Sequence, residues 1–143
     1  MIGLVLACVL TWPVAGSVVG EFAPSGRFGG HWGIDVEAAY GTPVRSPMSG
    51  RVVFAGSVAG MRTVSVDGAD GLRVSLSYLS GIEVGAGQAV AVGDVLGASG
   101  LAHGGEAVHI SVRVDGRYTD PRLVFSCRYD VTAGLRLVEP RPS

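Results

Sequence analysis

The chain has 143 residues, 48% of them hydrophobic and 16% charged, with 23 Gly, 7 Pro and a net charge of −1. That length fits one domain with a real core, since about 100–200 residues per domain is usual. The composition excludes disorder, and the near-neutral charge excludes a nucleic-acid binder that works by bulk electrostatics. All 11 basic residues are Arg, and neither Lys nor Asn occurs. This fits the codon bias of a GC-rich genome and removes any chemistry that needs a lysine amine.

Residues 1–11 read as an apolar, uncharged leader. It is too short to cross a bilayer as a helix, which takes about 20 residues. Three readings stand side by side. It has the length of a signal-peptide apolar region without the positive segment in front, Val5-Leu6-Ala7-Cys8 resembles a lipidation motif, and the run also suits a buried first strand. The first two imply an extracytoplasmic location, secreted or attached peripherally to the membrane through the leader. Cys8 and Cys127 are the only cysteines and form no metal motif. They can pair only if Cys8 survives processing; beside Val124 and Phe125, Cys127 reads as a small buried apolar residue.

From Trp12 to Cys127 the sequence reads as one all-β domain, a compact barrel-sandwich hybrid of short antiparallel strands. No window sustains a helical period, and 23 Val alternate with Gly, Asp, Ser and Pro punctuation. The predicted strands are 12–19, 33–36, 50–55, 63–67, 72–78, 90–92, 95–98 and 109–114. Turns fall at Ala59-Gly60, Asp67-Gly68-Ala69-Asp70-Gly71, Gly85-Ala86-Gly87 and Asp115-Gly116, where Gly tolerates the positive φ of tight hairpins. Residues 128–143 are expected to form a tail whose last residues fray.

Two segments carry candidate chemistry. In Gly30-His31-Trp32-Gly33-Ile34-Asp35 a histidine and an aspartate stand four apart, with Gly33 arguing against a helix. An isolated pair of this kind is more often a hydrogen bond than a metal half-site. In Ala107-Val108-His109-Ile110-Ser111-Val112-Arg113-Val114 the alternation puts Val108, Ile110, Val112 and Val114 on one face. His109 then shares the polar face with Ala107, Ser111 and Arg113, either as a surface or as a site residue. His31, Asp35 and His109 together would offer two nitrogens and one oxygen with a fourth position open, the ligand pattern of a catalytic rather than a structural zinc. Trp32 alternates with His31 and is expected to point away from such a metal; Trp12 is expected in the core or a groove wall.

These pieces resemble the LytM/lysostaphin-type zinc metallopeptidases that cut peptide cross-links in peptidoglycan. Trp12-Pro13-Val14-Ala15-Gly16, His31-Trp32-Gly33-Ile34-Asp35, Gly41-Thr42-Pro43-Val44, Gly50-Arg51-Val52, Val92-Gly93-Asp94-Val95-Leu96-Gly97 and Asp120-Pro121 follow the family's order over nearly the whole chain. Val52-Val53-Phe54-Ala55-Gly56 and Gly71-Leu72-Arg73 resemble an actinobacterial subgroup in particular. The resemblance implies one Zn²⁺ held by His31, Asp35 and His109, and peptidoglycan stem peptides as partners, with no nucleic acid.

The departures matter as much. The family's two assisting histidines map onto Ala107 and Tyr78. A base and an oxyanion donor each contribute on the order of 10²–10³-fold; Ala107 supplies neither, and a phenol donates a hydrogen bond but is a poor base at neutral pH. His103 and Glu106, in the segment 100–106, are the replacement candidates, since this loop is one residue longer than the family pattern and its tip could reach the metal. Arg113 is a candidate for holding a substrate carboxylate, with a solvated arginine as the plainer reading. Two functions therefore remain open: a zinc peptidoglycan hydrolase with a rearranged catalytic centre, and a non-catalytic wall-binding or hydrolase-regulating relative. Segments 44–52 and 92–97 also resemble biotinyl or lipoyl carrier domains, but those need a lysine, and this chain has none.

Overall fold

The structure, a computed structural model, describes residues 10–125, 128–130 and 136–138. The leader through position 9, with Cys8, lies outside the described residues, as do Cys127 and the last five positions. Among the described residues fourteen strands and one short helix follow one another: β1 Val18–Gly20, β2 Ala23–Ser25, β3 Gly29–His31, β4 Ile34–Glu37, β5 Pro43–Arg45, β6 Gly50–Val58, β7 Met61–Asp67, β8 Leu72–Ile82, β9 Ala89–Val90, β10 Val95–Ala102, β11 Gly105–Val114, β12 Arg117–Thr119, α1 Pro121–Phe125, β13 Arg128–Asp130 and β14 Arg136–Val138. The all-β class is borne out. Among the described residues no helix is long and apolar enough to cross a membrane.

The main sheet runs β1-β4-β11-β10-β8-β7-β6-β9, with β5 added on β10 and β12 on β11. Its strands alternate as expected. Val64, Val66, Val74, Leu76, Val108, Ile110 and Val112 are fully buried on one face, while Ser65, Ser75, Ser77, His109, Ser111 and Arg113 face a groove on the other. Core and site thus occupy opposite faces of the same strands. Phe125 of α1 closes part of the core and stacks on Trp12 at 4.6 Å between ring centroids.

Three two-residue hairpins tie the sheet: Ala59-Gly60 (φ 50° and 81°), His103-Gly104 (52° and 85°) and Asp115-Gly116 (50° and 80°). Positive φ at both positions matches the right-handed twist of the flanking strands. Ala59-Gly60 and Asp115-Gly116 stand where the sequence places turns. His103-Gly104 does not: the expected long loop 100–106 is instead mostly strand, with β10 and β11 continuing to Ala102 and from Gly105.

The remaining differences have local causes. Only the end of the predicted strand 12–19 pairs, as β1, because Pro13 and Gly16 interrupt the run. β2 and β3 were not expected from Ala23-Pro24-Ser25 and Gly29-Gly30-His31, whose residues have low strand propensity. β8 extends four residues past Tyr78 by changing partner. Its first half pairs with β11 through Ser77↔His109, and its last residues pair with β10 from Leu79↔Ser99 onward.

Candidate metal centre

That change of partner shapes the site. Between Ser77 and Leu79 the strand is irregular, and Tyr78 takes φ 63°, an uncommon conformation for a bulky residue. The extra residue of such a bulge puts neighbours on one face, so Ser77 and Tyr78 both line the groove while Leu79 returns to the core. Strict alternation would have turned Tyr78 inward.

Three elements deliver the candidate ligands. His31 ends β3, and its Nδ1–H donates to the Glu21 carbonyl at 2.6 Å, which leaves the Nε2 lone pair directed at the cluster. Asp35 lies in β4, 7% exposed, and is the register partner of His109 on β11. His31 Nε2, His109 Nδ1 and Asp35 Oδ1 form a triangle with sides of 3.1, 2.9 and 3.3 Å. Tetrahedral coordination with bonds of about 2.0–2.1 Å places ligand atoms about 3.3 Å apart. The triangle therefore has the dimensions of one face of such a tetrahedron. Two glycines make the close approach feasible. A Cβ on Gly33 would lie 2.4 Å from the Ile110 carbonyl oxygen and 2.7 Å from His109 Nε2, and one on Gly20 would lie 2.7 Å from Asp35 Oδ2.

His103 joins the group from the hairpin turn. Its Nδ1 is 2.7 Å from Asp35 Oδ2, and its Nε2 is 3.3 Å from the Tyr78 hydroxyl. With Nδ1–H donating to the carboxylate, Nε2 accepts from the phenol. Ligating atoms of His31, Asp35, His103 and His109 all lie within 4.8 Å of one another. Burial pushes the Asp35 carboxyl up, but hydrogen bonds from His109 and His103 and the charges of His31 and His103 outweigh it. The group is held down at about 2.

The other candidates are spread differently. Glu106 is outside the cluster; its carboxylate accepts from the Tyr40 backbone N–H at 3.1 Å. Ala107 is 2% exposed and brings only a methyl group. Arg113 lies on the floor of the same groove, and its guanidinium bonds the Tyr118 hydroxyl at 2.5 Å. Trp32 lines the groove, contrary to expectation, because residues 32–33 form a bend between β3 and β4 and the alternation is broken there. Its indole N–H donates to the Gly29 carbonyl at 2.8 Å. The groove holds about 540 Å³ and is walled by Phe54, Val58 and Met61 of the β6–β7 hairpin opposite Trp32 and Tyr118.

Comparison with known proteins agrees with this architecture. The description Peptidase family M23 matches residues 29–121. Over 123 residues the chain is 31% identical to the cell division protein DipM of Caulobacter vibrioides, covering 85% of this chain but only 18% of DipM. The catalytic domain of the antimicrobial peptidase lysostaphin from Staphylococcus simulans superposes with a TM-score of 0.62 at 29% identity, over 74% of this chain and 86% of that one. A zinc-containing peptidase from Vibrio cholerae gives a TM-score of 0.66 at 26% identity, over 76% of this chain and 37% of that one. An antiparallel sheet that carries a His/Asp group in an open groove thus defines the protein as a metallopeptidase-type domain. The chain belongs to peptidase family M23.

Proposed function

We propose that the protein binds one Zn²⁺ through His31 Nε2, His109 Nδ1 and Asp35 Oδ1 and hydrolyses peptide bonds in peptidoglycan cross-links outside the cytoplasm. The observation that carries this reading is the ligand triangle, whose sides fit tetrahedral coordination and whose three atoms all offer lone pairs once His109 Nδ1 gives up its proton to the solvent on binding. Zinc at such a site polarises a carbonyl and makes water nucleophilic near neutral pH.

His103 takes the part of the missing assisting histidines. Asp35 uses one oxygen in the triangle and the other to hold His103 Nδ1–H. This fixes the imidazole tautomer with the Nε2 lone pair on the groove side, where it accepts from the Tyr78 hydroxyl at rest; when that hydroxyl turns away, Nε2 takes a proton from water in the groove and returns it to the leaving amine. Tyr78, whose hydroxyl stands beside Nε2, donates a hydrogen bond that positions the ring and can pass to a developing oxyanion. Glu106, tied to the Tyr40 backbone, has no part in this exchange.

Ala107 favours a second reading, a wall-binding module that keeps the metal without turnover. Its buried methyl group cannot move a proton. Digestion of cross-linked peptidoglycan by the zinc-loaded protein separates the two. Release of cleaved cross-links that stops with His109→Ala supports the hydrolase; zinc binding and wall binding with no products from the wild type supports the module.

A further inference from the structure

The groove floor is ordered in rows across the strands, each row two residues further from the metal end. In the first, Asp35, His109 and Ser77 are register partners. In the second, Ser111 faces Ser75, which faces Ser65. The third places Tyr118, Arg113, Arg73 and Asp67 side by side on β12, β11, β8 and β7. Two arginines directly opposite each other on neighbouring strands repel.

Their environments differ. Arg73 is held by Asp67 through two bonds, Nε–Oδ1 at 2.6 Å and Nη2–Oδ2 at 3.0 Å. Arg113 has no carboxylate partner among the described residues. Its guanidinium lies 4.5 Å from the centroid of the Tyr118 ring and bonds that residue's hydroxyl, which aims it without neutralising it. The row therefore carries one uncompensated positive charge inside the groove. Between it and the metal end the floor is paved with small hydroxyl side chains, and the Ser111 hydroxyl has no hydrogen-bond partner among the described residues.

We infer that Arg113 is an anion subsite that binds a carboxylate of the substrate peptide about four residues from the bond at the metal end. The distance follows from the strand. His109 and Arg113 are four residues apart on β11, about 13 Å at the usual rise, and an extended peptide spans about 3.3–3.6 Å per residue. A peptide lying along β8 and β11 thus passes over the serine row, whose hydroxyls meet its amides, and presents its carboxylate to the planar guanidinium. The carboxylate has two chemical sources, the α-carboxylate at a free C-terminus or an acidic side chain. The assignment of the metal end rests on the proposed function; the charge selectivity of Arg113 does not.

The test uses the metal-free full chain, followed by nuclear magnetic resonance titration of the Arg113 side chain and Ser111 amide. The probes are N-acetyl tetraglycine with a free carboxylate, the same peptide as its amide, and an N-acetyl tetrapeptide amide ending in glutamate. Wild type is expected to bind an anionic peptide about tenfold more tightly than the neutral amide, about 1.4 kcal/mol; which anionic peptide shows the preference identifies the source. Arg113→Gln should abolish the preference, Arg113→Lys should keep part of it, and Arg45→Gln, on a different surface, should leave it intact. Binding of both anionic peptides no tighter than the neutral amide by wild type overturns the proposal, as does a preference that survives Arg113→Gln, or no response of Arg113 to either anionic peptide. Zinc content measured on the same Arg113→Gln protein should equal wild type, so loss of the subsite and loss of the metal site remain distinguishable.

Discussion

Replacing Gly33 by Ala tests whether the site depends on how closely β4 approaches β11. The new methyl group would sit 2.4 Å from the Ile110 carbonyl oxygen and 2.7 Å from His109 Nε2. The carbonyl belongs to a central strand and cannot give way, so the strain falls on the His109 ring and on the backbone at Gly33. Overpacking of this kind costs about 1–3 kcal/mol, which for a domain of this size lowers the melting temperature by about 3–12 °C. A ligand ring pushed off its position should also weaken zinc by about tenfold or more. Gly81→Ala is the matched control, since a Cβ there meets nothing within 4 Å. Differential scanning calorimetry and competition with a zinc chelator measure both quantities. A Gly33→Ala protein that melts and binds zinc like Gly81→Ala would show that the close approach of β4 to β11 does not set the site.

Two further outcomes follow from the same cluster. Asp35, held at about 2 against an ordinary 3.8, stabilises the metal-free fold by about 2 kcal/mol. That contribution is fully present above pH 3.8 and lost as pH falls through 2, so urea midpoints in chelator should decline over this window for wild type and more shallowly for Asp35→Ala; parallel curves would contradict the assignment. His103→Ala should keep a zinc stoichiometry of one while weakening zinc about tenfold and lowering peptidoglycan hydrolysis by about 10²–10⁴-fold, with Tyr78→Phe showing a smaller loss; unchanged turnover in His103→Ala would remove it from the mechanism.

Residue types and spacing are enough to read the longer strands of the sheet and to single out His31, Asp35 and His109, which the fold brings together; their part as ligands comes from the family resemblance. The Val108, Ile110, Val112 alternation puts His109 on the groove face, Asp115-Gly116 marks a hairpin because Asp and Gly both tolerate positive φ, and Gly60 marks another. The same signal was present in His103-Gly104, where histidine is among the residues enriched in that conformation, but the glycines around it read as a loop. Two features lay beyond local pattern. Tyr78 faces the groove only because β8 changes partner there, a consequence of tertiary pairing. Trp32 lines the groove because a bend interrupts the alternation. The pairing of Arg73 with Arg113 is likewise a matter of register between distant strands, which no local window contains.

Whether His31, Asp35 and His109 hold a metal is decided by zinc stoichiometry on the purified protein. Wild type should carry one zinc per chain, and Asp35→Ala and His109→Ala none above background. Wild type carrying no more metal than Asp35→Ala would contradict it.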